Sequence, residues 1–139
     1  MPYRYLPDIA IADIAFEADS ASLEGLFEAS ARALSDIMVD RRTLAPRVTR
    51  RFQLKADDTD GLLYDFLTKL ILLKDVDSLL FKEFYVEVPG DGSLTASMKG
   101  ERIDRKRHLL RNDVKAVTMH MFGVKREGKR WKATVVLDI

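Results

Sequence analysis

The sequence predicts an α+β fold, a single domain spanning 1–139 in which two main helices pack against a largely antiparallel or mixed β-sheet. Three observations carry this expectation. Two segments repeat apolar residues at the three-and-four spacing of a buried helical stripe. One alternating segment separates them, and the second half alternates throughout and is punctuated by Gly-containing turns. The chain has 139 residues, 47% hydrophobic and 32% charged, which suits one core beneath a solvated surface.

Residues 11–18 open the pattern as a strand. Ala12, Ile14, Phe16 and Ala18 share one face, and Asp13 and Glu17 share the other. Ser20 or Ser22 can cap the first helix, whose stripe of Leu23, Leu26, Phe27, Ala31, Leu34 and Met38 ends near Asp40. The basic, proline-terminated stretch 41–46 reads as a loop. A strand follows in which Val48, Phe52 and Leu54 alternate with Thr49, Arg51 and Gln53, Arg50 interrupting the apolar face.

Asp57, Asp58 and Thr59 place acids and caps before a second helix, about 60–74, burying Leu62, Leu63, Phe66, Leu67, Leu70 and Ile71. Its higher apolar content predicts the more central position. Strands at 79–88, 94–103, 113–126 and 131–139 complete the domain, with a Pro-Gly-Asp-Gly turn at 89–92 and a Glu127-Gly128 turn.

Charge and composition narrow the function. Lys and Arg total 23 against 22 Asp and Glu, so the molecule lacks the large positive field of a non-specific nucleic-acid binder. With no cysteine, disulfides, thiolate zinc sites and cysteine nucleophiles are excluded. The sequence shows neither a signal-peptide pattern nor a run of ~20 apolar residues, and the expected location is cytoplasmic.

No phosphate loop, dinucleotide fingerprint, nucleophile elbow or zinc-spaced histidine cluster is present, the two histidines being His108 and His120. The strand at 131–139 sets Asp138 beside the Ile139 carboxylate, hard oxygens suited to Ca2+, Mg2+ or Mn2+. Strand alternation puts Lys115 and His120 on opposite faces unless a bulge intervenes. Lys115 reads as a sheet-edge lysine and His120 as a core histidine. Two arginine clusters, Arg41 to Arg51 and Arg102 to Arg111, are candidate phosphate contacts but lack interleaved aromatic platforms.

Several segments together resemble the archease family. They are Ala12-Asp13-Ile14, the run from Ala33 through Asp36 to Met38, the run from Leu62 through Asp65 to Leu67, Leu79 to Phe81, Asp113 through Lys115 and Thr118 to His120, and Val135 to Ile139. The resemblance spans nearly the whole chain. It implies a non-catalytic accessory protein that activates a GTP-dependent tRNA-splicing RNA ligase, promoting ligase guanylylation and multiple turnover. That ligase is the implied partner, and RNA contact is expected to be indirect, with no membrane involved.

By the same resemblance a divalent metal, Ca2+ before Mg2+ or Mn2+, is held by Asp13, Asp138 and Ile139. Lys115, His120, Asp65 and Asp36 are the further partner-contact or functional candidates. The family's Asp-His-Thr-Ala-Asp opening is reduced here to Ile9-Ala10-Ile11-Ala12-Asp13, so Ala10 and Ile11 replace the histidine and threonine. Two alternatives remain open. One is a small metal-dependent hydrolase or phosphotransferase using Asp13, Asp138 and Asp65, and the other is an RNA-binding, chaperone-like module using the arginine clusters.

Overall fold

The structure, a computed structural model, describes residues 2–6 and 13–139. Ala10, Ile11 and the start of the first expected strand lie outside these residues. Seven strands and two helices follow in the order β1 (Tyr3–Leu6), β2 (Asp13–Ser20), α1 (Leu23–Met38), β3 (Val48–Lys55), α2 (Thr59–Asp77), β4 (Leu79–Glu87), β5 (Ser93–Arg102), β6 (Ala116–Glu127) and β7 (Arg130–Asp138). A 3-10 turn, Arg41–Thr43, follows α1.

The α+β class with two helices holds, and the strands divide into two antiparallel sheets, β1-β2-β7-β6 and β3-β5-β4. Both helices pack against both sheets, so one continuous apolar cluster runs from Phe16 and Val135 through Phe27 and Phe66 to Leu94 and Met98. β1 escapes the sequence pattern because it is a four-residue edge strand with only half-buried or exposed side chains.

Helix α1 starts where the Ser22 side chain accepts the Gly25 N–H at 3.0 Å, and α2 starts where Asp58 accepts the Gly61 N–H at 2.7 Å. The expectation that the second helix is the more central is overturned. Ten of the sixteen residues of α1 are buried against seven of nineteen in α2. The reason lies in Ala29, Ser30, Ala31, Ala33 and Ser35, small side chains that let neighbours close in around α1, whereas α2 leaves Leu72 and Val76 exposed.

Two irregularities set the shape of the sheets. Lys82 is an extra residue between the Phe81/Gly100 and Glu83/Lys99 pairs, and this bulge turns both Phe81 and Phe84 into the core. Gly100 is required there, since a Cβ would collide with the Leu80 carbonyl and the Phe81 backbone. In the other sheet, β6 places 119–122 against the single residue Val135 between the Thr118/Val136 and Gly123/Thr134 pairs. Met121 within this large bulge adopts φ 56°, a left-handed conformation unusual for a long side chain.

Candidate functional site

Antiparallel pairing makes Asp13 of β2 the register partner of Asp138 of β7, and Asp138 is in turn opposite Ala116 of β6. Directly opposed residues project from the same face of a sheet, so the two carboxylates form one rung on the face away from Ile14, Phe16 and Leu137. Asp13, Asp138 and Ile139 are each half-buried. The neighbouring rung is dry, because Ala15 and Val136 are fully buried. Like charges directly opposed across strands repel, and reduced contact with water strengthens the repulsion.

The same dry rung carries Thr118, opposite Val136. Its Oγ1 is buried and has no hydrogen-bond partner among the described residues, which is uncommon for a buried hydroxyl. It lies diagonally across from Asp138, at a typical separation of roughly 7–8 Å between such positions. The nearby donor set is therefore oxygen only: two carboxylates, the Ile139 backbone and an orphaned hydroxyl. Such a set fits a hard divalent cation and gives nothing to a soft one. Among the described residues no third His, Asp or Glu joins this pair in a metal-sized group, so the rest of the coordination shell would fall to backbone oxygen and water.

Lys115 lies just before β6, which starts at Ala116 and not at 113 as expected, and the segment bearing it is held in place. The Lys115 N–H donates to the Asp138 carbonyl at 2.8 Å. One residue earlier, the buried Lys74 of α2 donates to the Val114 carbonyl at 2.9 Å and pairs with Asp75 at 2.9 Å and with Asp113. Lys115 itself is exposed, with no ion pair among the described residues. The bulge after Thr118 cancels the alternation argument for His120, which is exposed and not a core histidine. The strand's hydrogen-bonded path is diverted just before it.

The remaining acids lie elsewhere. Asp65 is exposed on α2 and does not group with Asp13 and Asp138, which removes the third carboxylate of the hydrolase reading. Asp36 accepts from Arg41 at 2.6 Å and from the Tyr3 hydroxyl, tying β1, α1 and the 3-10 turn together. It lines a cleft of about 850 Å³ with Tyr5, Ile14, Asp40, Arg42 and Arg111. Burial, then the Asp36 hydrogen bond, raises the Tyr3 phenol above its ordinary value.

Several members of the arginine clusters are committed within the protein. Arg42 pairs with Asp40 at 2.7 Å, and this hydrogen bond contributes most to lowering Asp40 to about 2. Arg111 donates to the Asp36 carbonyl at 2.8 Å, and Arg102 donates to the Asp77 carbonyl at 2.9 Å. Arg107 pairs with buried Glu101, which also accepts the Ala45 N–H at 3.0 Å and contacts His108 Nε2 at 2.8 Å. His108 Nδ1 accepts the Asp104 N–H, so a neutral ring carries its proton on Nε2 and donates to Glu101. The Ala45 N–H, then Arg107 and His108, hold Glu101 down to about 2.

This buried cluster was absent from the sequence reading. The seven-residue spacing of Glu101 and His108 across a loop gives no periodic signal. Among the described residues, no helix is long and apolar enough to cross a membrane.

Comparison with known proteins agrees with this architecture. Residues 3–139 match the model of the Archease protein family. An archease from Methanosarcina barkeri is 36% identical over 141 residues, covering 99% of this chain and 95% of that protein. One from Pyrococcus furiosus is 35% identical over 132 residues, covering 92% and 93%. Among solved structures, a Methanobacterium thermoautotrophicum protein in solution superposes with TM-score 0.86 at 35% identity over 99% of both chains. A crystallised Thermotoga maritima archease, described as a possible chaperone, shares the fold with TM-score 0.68 at 20% identity over 96% of both chains. With its two-sheet fold and its sequence matched from the first strand to the last residue, the chain belongs to the archease family.

Proposed function

We propose that this protein is a non-catalytic activator of a GTP-dependent tRNA-splicing RNA ligase, promoting ligase guanylylation and repeated turnover through a divalent cation held at Asp13, Asp138 and Ile139. The observation that carries the reading is the in-register opposition of Asp13 and Asp138, half-buried beside a dry rung. A cation relieves their repulsion, and Ca2+ suits the irregular, all-oxygen set best, before Mg2+ or Mn2+. When bound, the cation would supply a hard Lewis acid able to order phosphate oxygens at the ligase's nucleotide site.

The chain's own residues bind and orient. Asp13 and Asp138 present carboxylates from two strands whose register is fixed by the ladder. The Lys115 N–H holds the Asp138 carbonyl, leaving the side-chain carboxylate to the outer face. Lys115 is exposed, and its ammonium can meet a phosphate or an acidic ligase side chain. The GTP chemistry belongs to the ligase.

The test is multiple-turnover ligation and guanylylation with limiting cognate ligase, GTP and divalent metal. The protein is compared with none and with its Asp13→Ala, Asp138→Ala and Lys115→Ala variants, each checked for folding by circular dichroism. Stimulation by the parent and its loss in folded Asp variants is the expected result. Normal stimulation by those variants would sink the acid-rung mechanism, and hydrolysis or phosphotransfer by the protein alone would return the enzyme reading.

A further inference from the structure

At the end of β7 opposite Asp138, the β6–β7 hairpin gathers cations that neither the core nor the acid rung uses. From Lys125 to Lys132 there are five, Lys125, Arg126, Lys129, Arg130 and Lys132, against the single acid Glu127. Lys125 and Lys132 are register partners, a like-charge pair that costs stability across strands unless an anion lies between them. Lys132 is shared with Glu17 at 3.4 Å, and Arg130 with Asp19 at 3.1 Å. Among the described residues Lys125, Arg126 and Lys129 have no ion pair. The turn itself is built on Gly128 at φ 62°, which leaves its tip in solvent.

The lysine pair lines a hollow of about 290 Å³ together with Met121, Phe122, Gly123, Thr134 and two carboxylates, Glu17 and Glu127. Its volume is near the lower end of the small-ligand range, roughly 300–1,000 Å³. The bulge in β6 creates the wall, since it turns exposed Met121 onto this face while Phe122 stacks edge-on against Tyr64 of α2. Lysines beside Met121 and Phe122 match a nucleotide, whose phosphate meets the cations and whose flat base meets the apolar surface, while Glu17 and Glu127 can accept from base N–H groups. The same two carboxylates would repel an acidic peptide. On the opposite face Arg126 lies over the Trp131 ring at 5.5 Å.

We infer that the β6–β7 hairpin is a direct contact for the RNA sugar–phosphate backbone, with Lys125, Arg126 and Lys129 meeting phosphates and the Met121–Phe122 hollow receiving an adjacent nucleoside. The inference requires neither the acid rung nor the ligase. Three phosphate contacts predict weak binding with a salt slope of about −2 for single strands, or about 16-fold weaker binding between 50 and 200 mM salt.

The test titrates fluorescein-labelled single-stranded RNA with the full protein at several KCl concentrations, reading anisotropy. Emission from Trp131, the only tryptophan, is followed in parallel with unlabelled RNA, because engagement of Arg126 alters the cation over its ring. The parent and a Lys55→Ala control, at an exposed position of β3 in the other sheet, are expected to bind alike. Lys125→Ala/Lys129→Ala should shrink the slope by about 1.4, and Lys125→Arg/Lys129→Arg should retain it. Absence of binding by the parent at 50 mM KCl, an unchanged slope in the double Ala variant, or competition by polyglutamate as effective as by RNA would each overturn the assignment, the last in favour of an acidic protein partner.

Discussion

Replacing either acid of the rung with its neutral isostere should stabilise the metal-free protein and abolish its response to calcium. Asp13 and Asp138 are directly opposed and half-buried, and cross-strand pairs contribute on the order of 0.2–1 kcal/mol. Asp13→Asn or Asp138→Asn in EDTA at low ionic strength should therefore gain a few tenths to about 1 kcal/mol. At about 4 °C per kcal/mol for a chain of this size, that is a Tm rise of about 1–4 °C. Calcium at a hundred times its dissociation constant should stabilise the parent by about 2.7 kcal/mol, or about 11 °C, and leave both variants almost unmoved. The assay is a thermal melt followed by circular dichroism, with and without calcium. Asn variants that melt at or below the parent in EDTA, while retaining its calcium shift, would refute both the repulsion and the site.

Two further outcomes follow from the buried chemistry away from the rung. Glu101 and Asp40 are held at about 2, below their ordinary 4.5 and 3.8. Their contributions are thus fully present above those ordinary values and are lost as pH falls through about 2. Urea unfolding at a series of pH values should show this loss, and Glu101→Gln should remove part of the acid sensitivity; a flat stability between about pH 5 and pH 2 would contradict it. Gly100→Ala drives a methyl into the Leu80 carbonyl and the Phe81 backbone, so it should cost about 1–3 kcal/mol or more. An unchanged urea midpoint would show that the β4–β5 bulge can shift without penalty.

The helices and most strands were legible because their signals are local. The Ser22 and Asp58 caps, the two apolar stripes and the Gly-containing turns each act within a few residues, and the observed bounds follow them. What escaped depends on partners distant in sequence. The relative centrality of the helices turned on small residues in α1, whose value is the close approach they permit and is invisible to a hydrophobicity comparison. His120 was misread as a core residue from its type alone; the bulge that the alternation argument allowed for is present, β6 setting four residues against one, and it leaves His120 exposed. Nothing in Met119-His120-Met121-Phe122 is a glycine or proline that would announce the interruption.

The site shows the same division. Residue chemistry marked Asp138 and Ile139 as hard-oxygen donors and the family resemblance added Asp13, but the opposition of the two aspartates is a property of register, and register is set by the whole β2–β7 ladder from Asp13/Asp138 to Ser20/Trp131. A one-residue slip would move every side chain to the other face, burying the acids and exposing Phe16 and Val135. The core therefore enforces the rung: the apolar cost of a slip far exceeds the repulsion of about 1 kcal/mol or less between the carboxylates. A fold can in this way hold two like charges together without any dedicated clamp. On its other side β7 carries the Lys125/Lys132 pair in the β6–β7 ladder, where Glu17 of β2, 3.4 Å from Lys132, offsets part of the repulsion, so the same strand holds a like-charge pair toward each end.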